Sequence, residues 1–92
     1  MLPRVISKIH ISAGFTKSFH KLPIFIQDLA IRKDQWFRDD AFDTRLKTHK
    51  LKGILEGYWA YSVNQQYRIL FRFVNSHEVI YYDIGTHDIY KD

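Results

Sequence analysis

Between Tyr58 and Ile84 the chain alternates apolar and polar side chains in three successive runs, which constrains the fold more than any other feature. In "YWAYSVN", Trp59, Tyr61 and Val63 alternate with Tyr58, Ala60 and Ser62. In "YRILFRFV", Tyr67, Ile69, Phe71 and Phe73 alternate with Arg68, Leu70 and Arg72, and "EVIYYDI" is the third run. A period of two sends successive side chains to opposite faces of a strand. The connectors "NQQ" and "NSH" are short and polar, so three consecutive strands are expected to form a meander. One face of it should be buried, and the other should carry Arg68 and Arg72.

Upstream, "RVISKIHIS" also alternates and reads as a strand that ends at "AGF". A short helical piece is expected near Phe15–Lys21. Pro23 suits the first position of a helix, where its missing N–H is not needed. Ile26, Leu29, Ala30, Lys33, Trp36 and Phe37 then recur at helical spacing, which predicts a helix near 23–38. The stretch from Asp39 to Glu56 is polar and is expected to be loop with a turn of helix, bracketed by Gly53 and Gly57. Strand, helical hairpin and three-strand meander make an α+β domain with the helices on one face of the sheet.

Ninety-two residues leave room for a single domain, residues 1–92. The chain is 46% hydrophobic and 16% aromatic, enough to build a core without staples. It has no cysteine, which excludes a disulfide scaffold and a thiolate metal site. Its apolar runs are too short to span a bilayer, and "MLPRVISKIHIS" lacks the pattern of a secretory signal. The expectation is a soluble cytoplasmic protein.

The formal charge is +4, and its distribution is uneven. "TRLKTHKLKG" carries Arg45, Lys47, Lys50, Lys52 and His49 with no acid, whereas Asp34, Asp39, Asp40 and Asp43 lie just upstream. Two readings fit: a surface for an anionic partner, or a solvated loop. Arg68 is an arginine inside an apolar strand, where it is costly to bury alone. It either pairs with an acid such as Asp83 or presents a bidentate guanidinium to a phosphate.

The segment "DIGTHDIY" ends the last strand on a glycine and sets Tyr90 three residues beyond His87, so one helical turn would put both on one face. A loop histidine is commonly idle, but its ordinary pKa also suits proton transfer. RNA supplies its own nucleophile, the neighbouring 2′-hydroxyl, so a cleaving site needs only a base, an acid and positive charge. Two histidines, an arginine, lysines and a tyrosine meet that need with no metal or other cofactor. There is no Gly-rich phosphate loop, no G-x-S-x-G elbow and no paired-carboxylate signature. His49 and His87 lack a third metal ligand.

The run "LKTHKLKGILEGYWAYSVNQQYRILFRF", followed by "VIYYDIGTHDIY" and preceded by "FTKSFHKLPIFIQ", resembles the RelE/ParE superfamily of type II toxin–antitoxin toxins. The resemblance runs from about Phe15 to Tyr90 and is closest to the YafQ-like mRNA interferases. It implies a small α+β toxin that cuts mRNA in the ribosomal A site and is held inactive by a cognate antitoxin, one with an acidic, partly disordered segment. It further implies that Arg68 contacts the phosphate, that His87 is the histidine of the "GTH" motif, that Tyr90 is the terminal aromatic and that His49 assists. Lys47, Lys50, Lys52 and Arg72 are then the residues that hold the nucleic-acid backbone. The chain departs from the YafQ-like pattern at Ile54–Leu55, where that branch carries an Asp-Trp pair. Glu56 lies nearby, and a glutamate is the base of the YoeB-like branch, so the general base is left open. A ParE-like toxin, which poisons DNA gyrase by binding, and a non-catalytic antitoxin-binding relative share the resemblance but have no need of His49 or His87.

Overall fold

The computed structural model describes residues 2–90. Strand β1 (Lys8–Ile11) leads into helices α1 (Ala13–His20) and α2 (Ile24–Asp39). After a polar stretch come β2 (His49–Lys50), β3 (Trp59–Ser62), β4 (Arg68–Asn75) and β5 (Glu78–Gly85). The sheet order is β1-β5-β4-β3-β2, with β1 parallel to β5 and all other neighbours antiparallel. The helices follow β1 directly because a parallel return to β5 requires a long crossover, and the helical hairpin provides part of it. The expected α+β architecture, with helices on one face of a meander, is the one observed.

Local chemistry sets the boundaries. The Ser12 hydroxyl caps α1 by accepting from the Phe15 amide at 3.0 Å, and it donates to the Tyr82 carbonyl of β5 at 3.0 Å. One side chain thus ties the start of the helix to the sheet. Pro23 is the residue before α2, and Ile26, Ala30 and Phe37 form its buried stripe. Phe37 is fully buried; its ring stacks on Tyr61 at 4.6 Å and meets Phe71 edge-on at 4.8 Å. Burying a ring of that size contributes about 1.5–3 kcal/mol.

The β4–β5 register shifts at two places, at Tyr82 and at Val74, and the first has consequences for the open face. Leu70 pairs with Asp83 and Phe71 with Tyr81, so Tyr82 is an extra residue, a bulge in β5. The bulge shifts the phase of the strand. Val79, Tyr81 and Ile84 can therefore all be buried on the helix side, whereas uninterrupted alternation would have turned Asp83 inward with Tyr81. Tyr82 and Asp83 lie instead on the face away from the helices, where Tyr82 meets Tyr58 edge-on at 5.2 Å.

The polar stretch contains more structure than expected. Thr44–Leu46 and Gly53–Leu55 are single turns of 3₁₀ helix, and His49–Lys50 forms a short edge strand on β3. Among the described residues no helix is long and apolar enough to cross a membrane.

Candidate active site

Arg68 opens β4 and is flanked in the sheet by Ser62 on β3 and Gly85 on β5. It is half-buried, and its Nη1 donates to the carbonyl of Asn64 at 2.6 Å and of Tyr67 at 3.1 Å. The expected pairing with Asp83 does not form. Asp83 lies two residues along the neighbouring strand, opposite Leu70, and its Oδ1 accepts from the Ile84 amide at 2.9 Å. The ion pairs among the described residues are His10–Glu78, Arg38–Asp34 and Arg45–Asp43. Arg68 is therefore held by backbone carbonyls at one nitrogen, without a carboxylate to neutralise it.

Beside Arg68 the absence of a side chain on Gly85 makes room for the last turn of the chain. A Cβ on Gly85 would stand 2.6 Å from Cγ2 of Ile89, inside any normal contact. Ile89 therefore lies over the glycine and seats the turn His87–Tyr90 against the end of β5. That turn is 3₁₀ helix, in which residues three apart are eclipsed. His87 and Tyr90 accordingly meet edge to face, with ring centroids 5.9 Å apart. His87 is exposed. The Tyr90 hydroxyl is the one buried side-chain polar atom among the described residues with no hydrogen-bond partner. Burial raises the pKa of this phenol, and the positive charge of Arg68 opposes the rise.

His49 lies elsewhere on the same face. The row His49–Ala60–Leu70–Asp83 runs straight across the sheet, so β2 and β5 are three strand spacings apart, roughly 14 Å. The structure unites Arg68, His87 and Tyr90 and leaves His49 at the far edge. His49 Nδ1 is 2.9 Å from the Lys47 carbonyl. A carbonyl can only accept, so in the neutral ring the proton sits on Nδ1 and Nε2 is left as a lone-pair acceptor.

The basic residues also divide. Lys50 follows His49 in the strand and faces the helix side, with its ammonium 5.9 Å from the Trp59 ring. Lys52 is exposed at the start of the Gly53–Leu55 turn. Arg72 is exposed on the Arg68 face, with its guanidinium over the Tyr58 ring at 5.2 Å. Lys47 ends the Thr44–Leu46 turn in the left-handed conformation (φ 54°), the one non-glycine residue to do so among those described. From there it lines a cleft with Arg68.

No protein-family model and no curated protein matches this sequence. Solved structures do match. A chain of the RelBE2 toxin–antitoxin complex from Mycobacterium tuberculosis superposes with a TM-score of 0.73 at 19% identity, covering 95% of this chain and 94% of that one. The chain has the RelE-like toxin fold. The YoeB/ParE toxin from Agrobacterium tumefaciens superposes on it with a TM-score of 0.71 at 14% identity, over 87% of this chain and 98% of that one. YafQ from E. coli strain BL21(DE3) gives 0.67 at 13% identity, over 91% and 97% of the two chains.

On this RelE-like scaffold two residues outside the sequence-based site approach its arginine. Lys33 of α2 and Arg45 of the Thr44–Leu46 turn both line the cleft that contains Arg68 and Lys47. Arg45 belongs to the basic run and Lys33 to the helical stripe, but nothing in the linear pattern joins them. Their convergence depends on how α2 lies across the end of β3 and β4.

Proposed function

We propose that this chain is the toxin of a type II toxin–antitoxin pair and that it cuts ribosome-bound mRNA in the cytoplasm without a metal. The observation that carries the reading is the meeting of His87, Tyr90 and the carboxylate-free Arg68 at one corner of a RelE-like sheet. In the reaction the 2′-oxygen of the RNA attacks the adjacent phosphorus, and the bond from phosphorus to the 5′-oxygen breaks. The products are a 2′,3′-cyclic phosphate and a 5′-hydroxyl. One proton must leave the 2′-hydroxyl and one must reach the departing 5′-oxygen.

Arg68 stabilises the phosphorane oxygens. Its Nη1 is committed to the backbone, which fixes the plane of the guanidinium and leaves Nη2 and Nε for the phosphate. His87 handles one of the protons, and Tyr90 orients its ring. His49, with Nε2 free to accept, assists from the edge strand. Lys47, Lys50, Lys52 and Arg72 hold the RNA backbone and ribosome. The partner is a cognate antitoxin whose acidic segment suits the same basic surface, and toxin and antitoxin form a hetero-oligomer.

The test is induced expression with mapping of mRNA ends, comparing wild type with His87→Ala and Arg68→Ala. New ends should appear within coding sequences for wild type and vanish for both variants. If both variants arrest growth and cut like wild type, the site assignment is wrong. Intact mRNA with DNA-damage signalling would replace the nuclease with a gyrase poison.

A further inference from the structure

We propose that the cleft between α2, the Thr44–Leu46 turn and the β3–β4 connection is a second phosphate site, which takes a backbone phosphodiester of the same RNA strand beyond the one that is cut. The proposal rests on the ribonuclease reading for the identity of its ligand.

The cleft is open to solvent and offers about 250 Å³. Lys33, Arg45, Lys47 and Arg68 line it, together with the polar side chains of Asn64 and Gln65. Among the described residues no carboxylate lines it. Beside it is Asp43, whose Oδ2 already accepts from Arg45 Nη2 at 2.7 Å. That pairing draws the Asp43 carboxyl down to about 2 and neutralises one of the four cations. Lys33, Lys47 and Arg68 form no ion pair among the described residues.

The cations are positioned rather than scattered. Lys33 and Trp36 are three residues apart on α2, and the Lys33 ammonium lies 3.6 Å from the centre of the indole. The Arg45 guanidinium lies 3.6 Å from the same ring. One indole thus holds both cations. Lys47 reaches it through an unfavourable left-handed backbone, a conformation that persists where the surroundings demand it. Burial, together with repulsion from Arg45 and Arg32, lowers the Lys33 pKa, as expected of a pocket with too few anions.

Arg68 is what favours RNA over an acidic protein segment. The same guanidinium lines this cleft and acts electrostatically on Tyr90, so the two sites are contiguous. A strand with one phosphate on Arg68 at the His87 corner continues into the cleft.

The test uses a 2′-O-methyl RNA oligonucleotide, which binds but cannot be cut, with affinity measured across salt concentrations. Lys33→Gln and Lys47→Gln should each weaken binding several-fold and make the log–log salt slope shallower by about 0.7. Lys33→Arg, which keeps the charge, should bind nearly as wild type, and thermal melting establishes that each variant is folded. Unchanged affinity and slope in the two glutamine variants would overturn the proposal. So would a Lys33→Arg as defective as Lys33→Gln, which would assign the residue to packing. Normal RNA binding with weakened binding of a polyglutamate peptide would give the cleft to an acidic protein instead. Should wild type leave cellular mRNA intact while the two glutamine variants still lose oligonucleotide affinity and slope, the cleft stands and the nuclease reading fails.

Discussion

The imidazole of His87 and the ring of Tyr90 meet edge to face at 5.9 Å, within a single turn that lies over Gly85 beside Arg68. This contact joins the proposed proton-handling group to a half-buried phenol whose hydroxyl has no hydrogen-bond partner among the described residues. His87→Ala should lower the rate of mRNA cutting by about 10²–10⁴, the usual loss for a general acid or base. Tyr90→Phe removes only the orphaned hydroxyl and keeps the ring that orients His87, so it should cost far less than Tyr90→Ala. Single-turnover cutting on programmed ribosomes measures both. Equal losses for Phe and Ala at position 90 would give the hydroxyl, not the ring, the working role.

Arg68→Lys is not a conservative change here. The guanidinium gives one nitrogen to the Asn64 and Tyr67 carbonyls and keeps two others for a ligand, whereas an ammonium cannot hold both sets in one plane. Cutting should fall by about 10²–10³ in Arg68→Lys, similar to the loss of an oxyanion donor. Near-wild-type rates in that variant would mean that charge alone suffices.

A buried hydroxyl chain crosses the core beneath this face. Tyr61 donates to Tyr81 at 2.8 Å, Tyr81 donates to Asp34 at 2.7 Å, and Arg38 donates to the other oxygen of Asp34 at 2.8 Å. Its members are not equivalent. Tyr81→Phe leaves the Tyr61 hydroxyl without an acceptor and Asp34 without one donor, and should cost about 1–3 kcal/mol. Tyr61→Phe leaves Tyr81 still bonded to Asp34 and should cost less, about 1 kcal/mol. Chemical denaturation of the two variants checks the order, and a larger loss in Tyr61→Phe would contradict it.

The same chain sets the response to alkali. Burial pushes the phenols of Tyr61 and Tyr81 well above the ordinary tyrosine value of 10.0. Both are raised in the folded state, so their contribution to stability is whole below that ordinary value and is lost as pH climbs through the raised ones. Phenolate absorbance from these two should therefore appear together with unfolding, in one transition. Reversible ionisation of all six tyrosines in the folded protein would refute this.

The elements legible in the sequence are those whose signal is local. Trp59, Tyr61, Ile69 and Phe71 follow the period of a half-buried strand, and each lies on the helix side as that period requires. Three features were not legible, for different reasons. The Tyr82 bulge adds one residue without changing composition, so alternation alone would turn Asp83 inward with Tyr81, whereas Asp83 lies on the Arg68 face and its carboxylate accepts from the Ile84 amide. Strand β2 has two residues, both exposed, at a sheet edge, and so carries no apolar period. The basic cleft draws on positions 33, 45, 47 and 68, which only the tertiary fold brings together. The candidate site lies between these cases: "GTH" and Tyr90 stand close in sequence, but their approach to Arg68 depends on the β4–β5 register.

That register gives Gly85 a particular task. It is the direct sheet neighbour of Arg68, and a Cβ there would press within 2.6 Å of Ile89 Cγ2. Gly85→Ala should lift the His87–Tyr90 turn away from the sheet while leaving the core in place. Misplacement of a catalytic group by about 1 Å can cost about 10²-fold, so cutting should fall by that order with little change in thermal stability. Ile89→Ala removes the clashing methyl. If the clash is the cause, Gly85→Ala should have little further effect in the Ile89→Ala background, and the double-mutant cycle should return a large coupling. Strictly additive effects would show that Gly85 acts through backbone flexibility rather than by making room for Ile89.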